Sequence, residues 1–169
     1  MMVDAFQVEK CKSYSVKKKF GLCDEPHPAH NPAYIDETNG ARWIAVVENE
    51  NGFLTTFMAI DNCIVLKRAD GKMDKRCDGM LTYKLTVIFV ELKDRGAKGN
   101  AWVEDAVPQL KSTITHFENS QMAANFKHKK AYISNREHPK FKTSQKERME
   151  KFFMDTGYIL RIEARIKLE

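Results

Sequence analysis

The chain predicts an α/β fold, a mixed central β-sheet flanked by helices, on three observations. Residues 85–92 (LTVIFVEL) form an apolar, β-branched run without alternation, the mark of a central strand covered on both faces. Val103, Ala106, Val107, Leu110, Ile114 and Phe117, and later Met149, Phe152 and Phe153, recur at helical spacing. Strand-like segments precede, separate and follow these two helices, so the sheet mixes antiparallel and crossover connections. With 169 residues, 43% apolar and 30% charged, the composition is ordinary for a globular protein and the length suits a single domain, 1–169. Its expected parts are an N-terminal helix and long Pro-containing loop (1–40), a core (42–135) and a C-terminal helix and strand (136–169).

In order along the chain, Val3, Phe6 and Cys11 give the first 20 residues a short amphipathic helical pattern. Pro26, Pro28 and Pro32 then mark 21–40 as an irregular surface loop. Residues 42–48 (RWIAVVE) and 53–60 (FLTTFMAI) are β-rich and flank an Asn-Gly pair, which predicts a hairpin. A third strand is expected over 63–67, a polar turn over 68–75 and a further strand over 76–81. After 85–92 and a glycine-bearing loop comes the first helix. Either Asp105 caps it and Pro108 lies in the first turn, or Asn100 caps it and the helix bends near Pro108. Residues 129–134 read as a strand. Ser144 and Glu147 form a capping box for the second helix, and Gly157 stops it. From 158 to 169, Tyr158, Leu160, Ile162, Ala164, Ile166 and Leu168 alternate with charged residues, as in a strand with one solvated face.

The longest apolar run, 85–90, is far short of the roughly 18 residues of a membrane span, and the N-terminus has no hydrophobic signal core. A cytoplasmic protein with no membrane partner is expected. The four cysteines, Cys11, Cys23, Cys63 and Cys77, are too sparse for a disulfide framework, so reduced thiols are expected. The formal charge of +5 is uneven: residues 1–121 hold 16 basic and 17 acidic side chains, and residues 122–169 hold 12 and 6. One end of the molecule should present a positive field.

The central strand breaks its own rule at Glu91 and Lys93, which interrupt the apolar run and point to one face. Burying either without a partner is expensive. Asp78, 13 residues earlier, lies where the preceding strand brings its carboxylate beside Glu91. Two carboxylates at one sheet end suit a hard divalent cation, Mg²⁺ or Mn²⁺, which takes oxygen ligands and shares them with substrate phosphate. Lys93 then faces the attacking water or neutralises charge that builds on phosphate.

In these residues, CDGML followed by VIFVELK, the chain resembles the PD-(D/E)XK nuclease superfamily, with its restriction-endonuclease-like fold, over residues 42–135. Gln109 and Leu110 are similar to the Gln-Leu element that many relatives carry on the next helix. Cys77 stands where the family name has Pro. The resemblance implies a metal-dependent nuclease that hydrolyses phosphodiester bonds in DNA, with RNA as the alternative polymer. It implies catalytic roles for Asp78, Glu91, Lys93 and Gln109, and a metal set of Asp78, Glu91 and Leu92. Relatives often carry a further acid on an earlier helix, for which Glu9, Glu48 and Glu50 are candidates. The alternative is a catalytically inactive nucleic-acid-binding or protein-interaction module on the same fold. Cutting both strands would call for a second copy, a homodimer.

Residues 127–148 hold eight Lys or Arg against two acids, with Phe126, Tyr132 and Phe141 interleaved. Lys127, Lys129, Lys130, Arg136, Lys140 and Lys142 are the expected phosphate-backbone contacts. Cys23, His27 and His30, with Cys11, have zinc-type donors at a spacing that fits no strong finger pattern. His116 reads as a helix-end histidine, Asp61 as a turn residue, and Cys63 and Cys77 as small buried hydrophobes.

Overall fold

The computed structural model describes residues 4–25, 29–94, 99–137 and 145–169. Ten strands form two sheets. β1 (Lys12–Ser15), β5 (Thr55–Ala59), β6 (Gly79–Tyr83), β7 (Thr86–Lys93), β8 (His128–Asn135) and β9 (Ile159–Arg161) lie in that order in the larger sheet. Its first three pairings are antiparallel, and β7–β8 and β8–β9 are parallel. The smaller sheet runs β10 (Arg165–Lys167), β4 (Ala45–Glu48), β2 (Lys19–Cys23), β3 (Tyr34–Asp36). The helices are α1 (Ala101–Glu118) and α2 (Lys146–Thr156). The general α/β class is as expected.

β7 is central and buried along its length except at Lys93. Its side chains divide by parity. Val87 and Phe89 enter a core with Leu110, Ile114 and Phe117 of α1 and Phe152 of α2, whereas Ile88, Val90 and Leu92 enter a second core with Phe20, Leu22 and Val47 of the smaller sheet. The layers are thus helices, six-stranded sheet, four-stranded sheet. This double cover is why 85–92 lacks alternation.

α1 begins after Asn100, whose carbonyl accepts from the Val103 and Glu104 N–H groups (both 3.0 Å), and it runs through Pro108. Of the two expected starts, the helix has the one at Asn100, without a side-chain cap hydrogen bond. α2 is preceded by Gln145 and ends at Gly157 (φ 79°), a left-handed position that glycine occupies without strain. Ser144, half of the expected capping box, lies outside the described residues.

Several expectations are corrected. The first 20 residues contain two short 3-10 turns, Ala5–Gln7 and Glu9–Cys11, and then strands in place of an amphipathic helix. Within 21–40, expected as loop, residues 21–23 and 34–36 pair as β2 and β3. A Cβ at Gly21 would lie 1.9 Å from the Trp43 ring, so glycine here admits the indole against the strand and breaks no structure. The segments 42–48 and 53–60 do form strands, but β4 and β5 belong to different sheets and make no hairpin. Buried Asn49 diverts the chain: its amide nitrogen donates to the Lys17 and Phe53 carbonyls, and its Oδ1 accepts from the Phe53 N–H (3.0 Å). Residues 63–67 form no strand beyond one bridge, Lys67 with Met73. The segment 158–169 keeps its alternation but divides between sheets, β9 closing one edge and β10 another. Among the described residues no helix is long and apolar enough to cross a membrane.

The expectation of reduced thiols is also corrected, because Cys11 and Cys63, 52 residues apart, form a disulfide, while Cys23 and Cys77 are free and buried. The bond ties the N-terminal segment to the β5–β6 connection. By the chain-entropy relation such a loop contributes up to roughly 4 kcal/mol. Reduction, or Cys11→Ser, should therefore lower the urea midpoint by an equivalent amount; an unchanged midpoint would show that the cross-link constrains nothing in the unfolded chain.

Candidate metal centre

The site starts where the β6–β7 ladder stops. Its last pair is Gly79 with Val90, and beyond it the Leu92 N–H is taken by the Asp78 carboxylate, Oδ2, at 2.7 Å. Asp78 is thereby fixed beside the end of β7. Its other neighbours hold it as well: the Asp78 N–H donates to the Val90 carbonyl (3.1 Å), its carbonyl accepts from the Ile60 N–H (3.0 Å), and the preceding Cys77 N–H donates to Thr113 Oγ1 of α1 (2.8 Å). Thr113 lies one turn beyond Gln109 on the same face of the helix, and its hydroxyl donates to the Gln109 carbonyl (2.9 Å).

Glu91 and Lys93 have the parity of Val87 and Phe89, so they face the helix layer. Glu91 is 6% exposed and Asp78 9%. Their carboxyl groups are within hydrogen-bonding reach of one another, and Lys93 Nζ is 3.3 Å from Glu91 Oε2. Burial pushes both acids above the usual carboxylate range; the neighbouring Glu91 charge pushes Asp78 further, whereas Lys93 restrains the rise at Glu91. Oε1 of Glu91 is buried and receives no N–H or O–H donor among the described residues. A proton shared with Asp78, an ordered water or a cation satisfies such an oxygen. The pair therefore fits a hard divalent ion, with Asp78 and Glu91 as its holders.

The site residues read from the sequence do converge in part. Asp78, Glu91 and Lys93 meet at one sheet end. Leu92 contributes backbone only, since its side chain enters the core between the sheets. Gln109 sits on the helix above, half-buried. None of the three candidates for a further acid is there: Glu9 accepts from the Tyr14 hydroxyl (2.6 Å), Glu48 pairs with Arg165, and Glu50 lies in an exposed turn. Asp61 is the acid whose charge reaches both Asp78 and Glu91. It is also the turn residue expected, accepting from the Asn62 N–H (3.1 Å), and it pairs with Arg76 at 3.2 Å. Asp61 and Thr113 are the residues whose roles sequence spacing missed. Only the turn-like AIDNC pattern hinted at Asp61.

Among the described residues the cations of the basic segment do not form one patch. Lys127 precedes β8, its N–H donating to the Leu85 carbonyl (2.9 Å), Lys129 pairs with Val87 near the start of the strand, and Arg136 follows its far end, its N–H donating to the Lys93 carbonyl (3.0 Å). Eight residues of strand separate the ends by about 26 Å. Lys129 is bound to both carboxylate oxygens of Glu118 (2.8 Å each), and Arg136 is bound to Asp94 and to the Ala41 and Arg42 carbonyls. Lys130 is half-buried, and Lys140 and Lys142 lie outside the described residues. For the zinc reading, Cys11 is consumed by the disulfide, burial raises the Cys23 thiol to about 11, and His27 lies outside the described residues. Among the described residues no three His, Cys, Asp or Glu side chains cluster to hold a metal. His116 is a helix-end histidine, as expected, 3.0 Å from Asp74.

No family model, curated protein or solved structure matches this chain.

The buried pair has a consequence for stability. Asp78 keeps its proton in the folded protein above its unfolded value of about 3.9, so the folded state binds more protons and stability falls as pH rises from about 4. Asp78→Asn should flatten that slope to the part that buried Glu91 contributes, because an amide gives Glu91 Oε1 its missing donor and still accepts from the Leu92 N–H. Melting curves against pH for metal-free protein should show the variant gaining at neutral pH, by roughly 2–4 °C for each kcal/mol recovered. A wild-type profile parallel to that of the variant overturns the assignment.

Proposed function

We propose that the protein is a metal-dependent nuclease of the PD-(D/E)XK type, hydrolysing phosphodiester bonds in DNA or RNA. The observation that carries this reading is the buried Glu91 beside Asp78, with its Oε2 3.3 Å from Lys93 Nζ and its Oε1 without a donor among the described residues. The surrounding topology supports it: an antiparallel β5–β6–β7 meander, α1, and β8 parallel to β7, which is the meander-then-helix order of the resemblance.

Asp78 and Glu91 would hold Mg²⁺ or Mn²⁺. When bound, the ion supplies Lewis-acid polarisation of a phosphoryl oxygen and lowers the pKa of water. With an ion bound, Asp78 and Glu91 would both serve as carboxylate ligands in place of the protonated pair. Lys93, 3.3 Å from Glu91 Oε2, would orient the attacking water or meet charge building on the phosphate. Thr113 positions Asp78 through the Cys77 N–H, and Gln109, one turn earlier, overlies the same end of the sheet. Arg136 clamps the chain beside Lys93 and is committed to protein acceptors; the strand-end lysines are too distant to touch the scissile phosphate.

Purified protein with Mg²⁺ or Mn²⁺ should cut nucleic acid, assayed on single- and double-stranded DNA and on RNA. Asp78→Ala, Glu91→Ala and Lys93→Ala should each lower the rate at least about a hundredfold, with circular dichroism unchanged. Salt-sensitive binding without cleavage under any cation would favour the inactive module instead.

A further inference from the structure

A cavity of about 270 Å³ opens at the same sheet end, lined by Trp102, Ile133, Asn135, Ile162, Glu163 and Arg165 among others. Its position is fixed by register. Asn135 is the β8 partner of Lys93 and Ile133 that of Glu91, and Ile133 belongs to the helix-side core, so the cavity and the acid pair share one face on adjacent strands. Neighbouring strands lie about 4.8 Å apart. That step is of the order of the reach from a nucleotide's phosphate to its base.

The chemistry of the walls narrows the occupant. One side is indole and branched aliphatic, from Trp102, Ile133 and Ile162. Asn135 is 2% exposed, and its Oδ1 accepts from the Glu137 N–H (2.9 Å), which sets the amide in one orientation. Trp102 is likewise held, its Nε1 donating to the Gly99 carbonyl (3.1 Å). The second lone pair of that Oδ1, beside apolar walls, can accept from the edge of a flat ring. At the rim Arg165 is paired with Glu48 (3.6 Å) and Glu163 is an exposed acid, which disfavours a phosphate there and admits a neutral group. The volume is at the low end for ligand pockets and takes one ring system.

We propose that this cavity receives a nucleobase, and that the polymer is therefore engaged as a single strand or with one nucleotide extruded from the duplex. The proposal rests on the nuclease reading for its phosphate, and deepens it by naming the form of the substrate. A base inside a stacked duplex cannot enter a pocket beside the cleavage site, because its faces are covered.

The test is a nitrogen-15 NMR titration of the full chain, without divalent cation, using deoxynucleoside 5′-monophosphates and, separately, deoxyribose 5-phosphate. The two tryptophans give two indole N–H signals. Trp43, on the smaller sheet's side and bonded to Asp36 (2.8 Å), is the internal control. With the nucleotides, the Trp102 indole and the Asn135 side-chain amide should shift saturably while Trp43 stays still; the sugar phosphate should move neither. Asn135→Ala should weaken nucleotide binding about tenfold. Equal shifts with deoxyribose 5-phosphate, or no shift with any nucleotide, overturn the base pocket. A responding Trp102 in a protein that cuts nothing supports the pocket and removes the nuclease reading; cleavage with a silent Trp102 removes the pocket alone.

Discussion

Everything at the candidate site follows from two carboxyl groups placed side by side out of water, with one ammonium beside them. Such an arrangement is costly, since two like charges cannot both persist in a poorly solvated site. β7 imposes it: a strand covered by helices on one face and by a second sheet on the other has no wet side on which to put Glu91. Asp78 is held there equally firmly, because it completes the backbone hydrogen bonding of Leu92 where the β6 ladder ends. Neither acid can swing away to relieve the other. The relief must come from a proton or an ion.

The layers explain why the site lies where it does. Three consecutive parallel strands, β7, β8 and β9, end at the same edge, and open α/β sheets characteristically leave a crevice outside the carboxyl ends of their strands. α1 begins over that edge with Trp102 and, farther along, reaches down through Thr113 to the residue before Asp78. One helix thus borders the cavity and anchors the chain that carries the first acid. Asp61, on the β5–β6 connection, adds a third negative charge within reach, and the Cys11–Cys63 bond lies two residues beyond it. A closed disulfide persists in oxidising surroundings, so this bond is the one feature that a cytoplasmic location does not call for.

Much of this was legible in the sequence where the signal is local or where burial overrides everything else. The run 85–92 announced the central strand because nothing charged interrupts it before Glu91, and that same interruption exposed the acid and Lys93. Gly157 announced the end of α2 because a left-handed residue is needed there. What escaped depends on contacts distant in the chain. Residues 42–60 have the composition of a hairpin, and only the burial of Asn49 against Lys17 sends the two strands into different sheets. Residues 158–169 alternate without a break, since period-two patterning is blind to which sheet a strand joins. The cysteine pairing and the hydrogen bond from Cys77 to Thr113 span 52 and 36 residues, and no spacing rule connects them. Lys129 and Arg136 looked like free cations because their partners, Glu118, Asp94 and the Ala41 carbonyl, lie far off in the chain.

The divided segment 158–169 has one more implication, for biosynthesis. It contributes the flanking strand of the larger sheet and, three residues on, that of the smaller one. Until these residues emerge from the ribosome, β8 and β4 each present a bare row of amides and carbonyls to whatever is nearby. β4 stays open from residue 48 until residue 165 and β8 from residue 135 until residue 159, so one short segment closes an edge of each sheet.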